Sequence, residues 1–539
     1  MHRTRLRRPL AAFFPAAVGF ACLLGRVGAA DPLPHPAAAA PSAVVQDAPP
    51  VLRGPILTTS PAANGLTQEQ AAAGDMPLPI SLAAALRLAD ARPLVIAAAQ
   101  ASVAQAAAAL GGARALWLPN FNLGGSYYRH DGGGAGNSGA EFINGRDQVI
   151  AGYGLTLTVE GADALFTPLA LKQVLRSREI DVQTARNDAL QNVAEAYFNV
   201  QQARGRLAGA RDAVVKGREL ARKITALGRE LTAPIEADRA RAQLLELEQE
   251  ATRAYEAWRV ASAELTRVLR LYPGAVVVPI EPPHLQVTLI APSEPVDALV
   301  SIGLTNRPEL ASQQALVQAT LVRLRQERLR PLIPSVVLLG DAVPASPGGY
   351  LSGGVFYSDA SGQANPLSGR NDVSVQLIWQ LRNLGLGNKA LVNERRAEQQ
   401  RALIELYRVQ DQVAAEVAQA HAQVQSAAIR VGQAEDGLQQ AQTTYAGNLR
   451  GLGQTMRVGN TDVLIYRPQE VVAALAMLQR AYDNYFRTAN DYNRAQFRLY
   501  RAVGYPAGIL ACERPSGPVV GVDVTRPPQM APVAAAPAW

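Results

Sequence analysis

The sequence predicts a mixed α and β membrane protein in which long coiled-coil helices alternate with short membrane strands, in two tandem copies. Three observations carry this reading: an internal repeat, heptad seams held over three long segments, and period-two segments set between them.

The N-terminus comes first. Arg3, Arg5, Arg7 and Arg8 precede an uncharged apolar run from Pro9 to Leu24, and small residues lead to Gly28-Ala29-Ala30 before Asp31. This is the pattern of a secretory signal cut after Ala30, and the apolar run is short for a membrane span. Residues 1–30 carry five arginines and no acid, so the formal charge of +7 falls to +2 in the mature chain. Charge therefore gives no support to a nucleic-acid partner, and no basic, aromatic-laced patch stands in for it. Cys22 leaves with the signal. Residues 19–21 (Gly-Phe-Ala) lack the aliphatic residue expected three places before a lipidated cysteine, so no acyl chain is expected there. Cys512 then stands alone, which excludes an internal disulfide and a cysteine-rich zinc site.

The repeat follows. Arg92-Pro93-Leu94 returns as Arg307-Pro308-Glu309-Leu310, and the prolines lie 215 residues apart. Leu116-Trp117-Leu118-Pro119 returns as Leu332-Ile333-Pro334 at the same spacing, and Gly145-Arg146-Asp147 corresponds to Gly369-Arg370-Asn371-Asp372. Each copy reads helix, strand, loop, strand, very long helix, interruption, long helix. The chain divides accordingly: signal 1–30; a Pro/Ala-rich extension 31–79, read as a linker; a first repeat 80–294; a second repeat 295–506; and a Pro/Ala-rich tail 507–539.

In the second repeat, Val413, Val417, Ala420, Val424, Ala427, Val431, Ala434, Leu438, Ala441 and Tyr445 recur at spacings of four and three. Leu475, Leu478, Tyr482, Tyr485, Ala489, Tyr492, Gln496, Leu499 and Val503 follow the same rule, with Gln496 the one polar member. The first repeat answers with Leu244, Leu247, Ala251, Ala254, Trp258, Ala261, Leu265, Val268 and Tyr272. An amphipathic core helix drifts off a heptad within a few turns; a sustained 3.5-residue period keeps one seam against a partner helix. A continuous helix from Ala164 to Leu227 would run roughly 95 Å at 1.5 Å per residue, longer than a globular domain is wide.

Four segments are read as strands: about 119–131, 147–160, 334–341 and 371–382. In the second, Tyr153, Leu155, Leu157 and Val159 alternate with small or polar residues; in the fourth, Val375, Leu377 and Trp379 do. Apolar outside and polar inside suits lipid facing water, with Tyr153, Leu155, Leu157, Val375, Leu377 and Trp379 on the lipid side. A soluble sheet would show the same alternation in any one strand. If these strands lie in a membrane, four cannot close a barrel, and an open edge cannot face hydrocarbon. Several chains would then share one barrel. The Gly/Ser/Pro-rich stretch from Ala342 to Gly369 is read as the long extracellular loop.

Other classes fare worse. His35, His130, His284 and His421 have no ligand spacing, and His421, one place beyond the seam residue Ala420, is read as a helix-surface residue. No catalytic constellation, metal site or cofactor loop stands out, so an enzyme is not expected. A structural coiled-coil rod or adhesin would explain the heptads but not strands placed twice between a Leu-x-Pro entry and a long helix.

Taken as an ordered set occurring twice, these motifs resemble the TolC-like outer-membrane efflux proteins, from about Ile80 to Pro506. The resemblance implies a homotrimer with a twelve-stranded β-barrel, four strands per chain, continued by a coiled-coil α-helical barrel in the periplasm, with a mixed equatorial segment at 272–294. It implies a passive exit duct in the outer membrane for small molecules such as drugs or toxic compounds, working with a periplasmic adaptor protein and an inner-membrane pump. The exit duct of a type I protein secretion system is the alternative within the family. The resemblance further implies that the helix–helix tips dock the adaptor, here Gly228, Thr232, Pro234, Val458, Gly459 and Thr461. A gate just inside the tips would draw on Arg450, Arg457, Asp462, Tyr466 and Glu470, with solvated tip charge as the plainer reading. The second tip departs from the family pattern by extra residues, Leu464 to Gln469, before the helix resumes near Glu470.

Overall fold

Proline and glycine set most of the element boundaries. The computed structural model describes residues 56–59, 66, 75–91, 93–135, 141–227, 233–339, 353–359, 368–371, 374–458 and 461–505, all within one compact unit, Arg53–Trp539. The helices among them are α1 (Leu82–Ala91), α2 (Leu94–Arg114), α3 (Gly161–Ala226), α4 (Pro234–Leu269), α5 (Val296–Asn306), α6 (Pro308–Leu329), α7 (Leu386–Gly451) and α8 (Pro468–Ala502). Helices α4, α6 and α8 open with proline in their first turn, where its missing N–H costs nothing. Helix α8 stops before Gly504, at φ 93° and pressed on the Asn306 backbone, a place no side chain fits.

Helices α3 and α7 each hold 66 residues, about 99 Å at the α-helical rise. Helix α3 pairs with α4, α7 pairs with α8, and α3 and α8 join the two pairs. All ten seam positions from Val413 to Tyr445 and all nine from Leu475 to Val503 are buried. The α4 seam holds from Leu247 to Leu265, but Tyr272 lies beyond the helix and is exposed, a correction to the expected seam. Glycines on α3 admit the α8 aromatics: a Cβ on Gly209 would sit 2.7 Å from Tyr482 Cβ, and one on Gly205 would enter the Phe486 ring.

Strands β1 (Ile56–Thr59), β2 (Met76–Ile80), β3 (Asn120–Ala135), β4 (Glu141–Glu160), β5 (Ala275–Pro279), β6 (Leu285–Thr288), β7 (Ser335–Leu339), β8 (Gly353–Asp359), β9 (Ser368–Asn371) and β10 (Ser374–Ile378) form three sheets. The extension read as a linker thus contributes two strands: β1 pairs antiparallel with β6, and β2 parallel with β5. Pro77 and Pro79 alternate in β2, so both missing donors fall on one edge and leave the other free to pair. On the far side of β6, Asn493 Oδ1 accepts from Val287 N (2.8 Å) and Gln496 Oε1 from Leu289 N (3.1 Å) and Ile290 N (3.0 Å). This explains the one polar seam residue: its amide stands in for a neighbouring strand.

The largest sheet corrects the strand bounds. Strand β3 pairs with β4 over sixteen residues, and β4 pairs on its other edge with both β7 and β8. Leu339 pairs with Ser374 and Gly353 with Asn371, so β7 follows β10 as β8 follows β9. β7 with β8, and β9 with β10, therefore act as single strands, and the sheet is four strands wide. The stretch 342–369 is not one loop, because β8 and the start of β9 lie inside it. The tail 507–539 and the signal lie outside the described residues.

Candidate functional site

The places where a duct would meet its surroundings are the two helix tips and the strands. At the first tip, α3 ends at Leu227 and α4 begins at Pro234; Gly228 and Thr232 lie outside the described residues. At the second, Gly453 adopts φ 92°, which admits the reversal, and a Cβ there would touch Leu227 Cδ2 at 3.4 Å, so the two tips adjoin. Beyond Gly453, β11 (Thr455–Val458) and β12 (Thr461–Leu464) form a hairpin, closed by Ile465 N donating to Gln454 O at 2.9 Å. Tyr466 packs its ring on Gly451, and α8 resumes at Pro468, two residues before the expected Glu470. The residues read as extra, Leu464 to Gln469, thus comprise the end of β12, a short link and the start of α8. Gly459 lies outside the described residues, and Val458 and Thr461 are described by backbone only, as a Cα pair closing the hairpin.

Of the gate candidates, Arg450, Arg457 and Glu470 are exposed, and Tyr466 is half-buried. Arg457 and Asp462 are Cα partners across the hairpin, while Arg450 Nε donates to Ala446 O (3.3 Å) on its own helix. The sequence reading missed the polar ties just above the tips. Tyr482 Oη donates to Asp212 Oδ2 (2.8 Å), Lys216 bonds the same carboxylate, and Tyr445 Oη donates to Lys216 O (3.3 Å). Burial and then the Asp212 charge push the Tyr482 hydroxyl well above its ordinary range. Both tyrosines were visible as seam residues; what their hydroxyls reach was not.

Higher up, five charged side chains tie four helices together. Arg307, buried at the α5–α6 elbow, donates two bonds to Glu309 (3.0 Å each), one to Glu416 (2.8 Å) and one to the Ala502 carbonyl (3.3 Å). Arg501 donates to Asp188 (2.6 and 2.8 Å), Glu416 (3.2 Å) and Glu309 (3.0 Å). Burial alone would raise the Glu416 carboxyl, but bonds from Gln412 and Arg307 and the charges of Arg307 and Arg501 hold it below the ordinary value. A polar groove of 500 Å³ opens beside this cluster, lined in part by Asp188, Gln191, Gln419 and Arg498.

His421 is buried rather than on the helix surface, and its Nε2 has no hydrogen-bond partner among the described residues. In the strands, Val375, Leu377 and Trp379 are 64%, 57% and 57% exposed, Trp379 lying one residue past β10. Leu157 is half-buried; the side chains of Tyr153 and Leu155 lie outside what is described.

With this geometry in hand, comparison with known proteins shows what the chain is similar to. Residues 85–269, from within α1 to the end of α4, match the family described as outer membrane efflux protein. The fold is similar to that of the outer-membrane channel OprN (TM-score 0.60, 15% identity, 83% of this chain and 96% of that one). It is likewise similar to the Campylobacter jejuni CmeC outer membrane channel (0.58, 15%, 83% and 92%) and to CusC (0.60, 18%, 81% and 95%), a protein whose structures are described in terms of transmembrane channel formation. No curated protein matches in sequence. The resemblance to TolC-like outer-membrane efflux proteins, and with it the fold of helical and β parts, is borne out.

Proposed function

We propose that this chain is one subunit of an outer-membrane exit duct, a passive conduit with its helices in the periplasm. Three copies would pool their four-stranded sheets into one twelve-stranded barrel. One observation supports this above the rest: the sheet of β3, β4, β7/β8 and β9/β10 has two open edges, which hydrocarbon does not tolerate in a single chain. The duct does no chemistry. An inner-membrane pump supplies the energy, and an adaptor meets the two adjoining tips.

Small toxic molecules are the proposed cargo. Detergent-purified protein should have the mass of three chains and give steady conductance in planar bilayers. Deleting the gene in its host should raise sensitivity to toxic small molecules while leaving secreted proteins unchanged. Recovery of a soluble monomer without detergent would overturn the duct. Loss of a secreted protein with unchanged sensitivity would instead favour the protein-secretion reading.

A further inference from the structure

The sheet of β3, β4, β7/β8 and β9/β10 sorts its charges by face. Successive residues of a strand fall on opposite faces, and residues paired across strands share one. Leu157 and Val159 on β4 pair with Leu338 and Val336 on β7, which pair in turn with Val375 and Leu377 on β10. These six define an apolar face, and Thr158, Val337, Ser374 and Gln376 belong to the opposite, more polar one. Along β4 the same alternation carries both faces to its other end at Glu141, away from the helices.

In that far half, from Gly152 to Glu141 and on the strands paired with it, the acids are Asp131, Glu141, Asp147 and Asp359. All four fall on the face continuous with the apolar one, where Arg129 is the Cα partner of Asp147. The polar face instead holds His130, Arg146 and Arg370, and no acid among the described residues. Asp341 and Asp372 lie outside those residues. Arg370 has the plainest setting. Gly124 pairs with Gly152, Gly152 with Gly354 and Gly354 with Arg370, so one row across four strands holds three glycines and a single side chain. The cross-strand partner of Arg146 is His130. Neither arginine therefore has an acid directly across from it in the described register, whereas Arg129 on the other face does. A guanidinium keeps its charge at any working pH, and its planar fork of N–H donors matches a carboxylate or a phosphate.

We propose that this face is an anion-binding passage, and that the cargo it favours is small molecules bearing a carboxylate or phosphate group. This rests on the duct proposed above, in which the polar face lines the lumen, and adds the charge of what passes. Each copy would bring Arg146 and Arg370 to the wall, and rings of basic side chains are what anion-conducting pores use. Glycine at the three facing positions lets a ligand come close to the backbone beside Arg370. Two separate positions per copy also suit conduction, which needs binding favourable enough to enter and weak enough to leave.

The test is block of conductance by tripolyphosphate, with the full chain in planar bilayers. Protein added to one compartment inserts barrel first, which leaves the helices there and the barrel mouth opposite. Wild type should be blocked from the barrel side at lower concentration than from the helix side. In Arg146→Gln/Arg370→Gln the half-blocking concentration on the barrel side should rise about tenfold or more, as expected for lost charge-assisted contacts. Arg129→Gln removes the same charge from the other face and should leave block unchanged. Arg370→Gln alone should weaken block in part, and Arg370→Lys, which keeps the charge, should restore most of it. Equal block of wild type and the arginine variants, or an equal loss in Arg129→Gln, would overturn the passage while leaving the duct intact. A wild type with no conductance at all would overturn the duct, and this proposal with it.

Discussion

The two repeats share a plan and differ at both ends of their helices. The first tip passes from Leu227 to Pro234 with no strand among its described residues; the second builds a hairpin rooted by Tyr466 on Gly451. The second elbow is clamped by Arg307, Glu309, Glu416 and Arg501, whereas the first offers Leu94 where Glu309 stands and Asn192 where Glu416 stands. The two repeats thus share a coiled coil, and the second carries added polar fastening at its elbow. A repeat keeps what packing demands, the seam, and is free to change what the seam does not touch.

The largest expected effect breaks the clamp. Arg307→Met leaves Glu309 and Glu416 with Arg501 alone to balance them in a half-buried site and should cost about 3–5 kcal/mol, read by denaturant unfolding. Arg92→Met, the matching substitution in the first repeat, should cost about 0.5 kcal/mol or less; equal losses would erase the difference between the halves. Next, Leu377→Arg should cost roughly 2–4 kcal/mol and impair assembly, whereas Gln376→Arg should be tolerated. Both positions are exposed in one chain, so equal tolerance would refute the proposed lipid side. Gly209→Ala forces a methyl onto Tyr482 and should cost about 1–3 kcal/mol, measured in the same unfolding assay.

Acid should act on the same clamp. The Glu416 carboxyl is held below the ordinary value of 4.5, so its contribution is complete above that value and lost as pH falls through the lowered one. Stability of the intact protein should therefore decline below about pH 4.5 more steeply than that of Glu416→Gln. Parallel pH curves would remove Glu416 from the account. The smallest effect on the fold belongs to the tip. Replacing 455–464 with Gly-Gly removes an isolated two-stranded sheet, which contributes little by itself. Thermal unfolding should be unchanged while export falls, and normal export would show that the hairpin is dispensable for docking.

The seams were legible because burial repeats every three or four residues and nothing local hides that period. Gln496 was legible as an exception, though not its reason, since its partners lie more than 200 residues away. The β7–β8 interruption was not legible, because register is a property of neighbours. The hairpin was hidden because Thr455–Leu464 is too short to show a period. The burial of His421 could have been found: it occupies the repeat position of Tyr197, which is itself buried and donates to Ile80 O and Glu281. Of the residues proposed to meet an adaptor, Pro234 stands at a helix start.

The amides of Asn493 and Gln496 have a consequence for how the chain reaches this state. They complete an edge whose strand, β6, emerges from synthesis about 200 residues earlier. Until α8 arrives, that strand presents unpaired donors to any extended segment nearby, and such edges recruit wrong partners. A chain ending before Asp491 should leave residues 275–290 open to protease, while the full chain protects them. The sheet of β1 and β6 is thus sealed by α8, and a chain lacking that helix would be left with an adhesive edge.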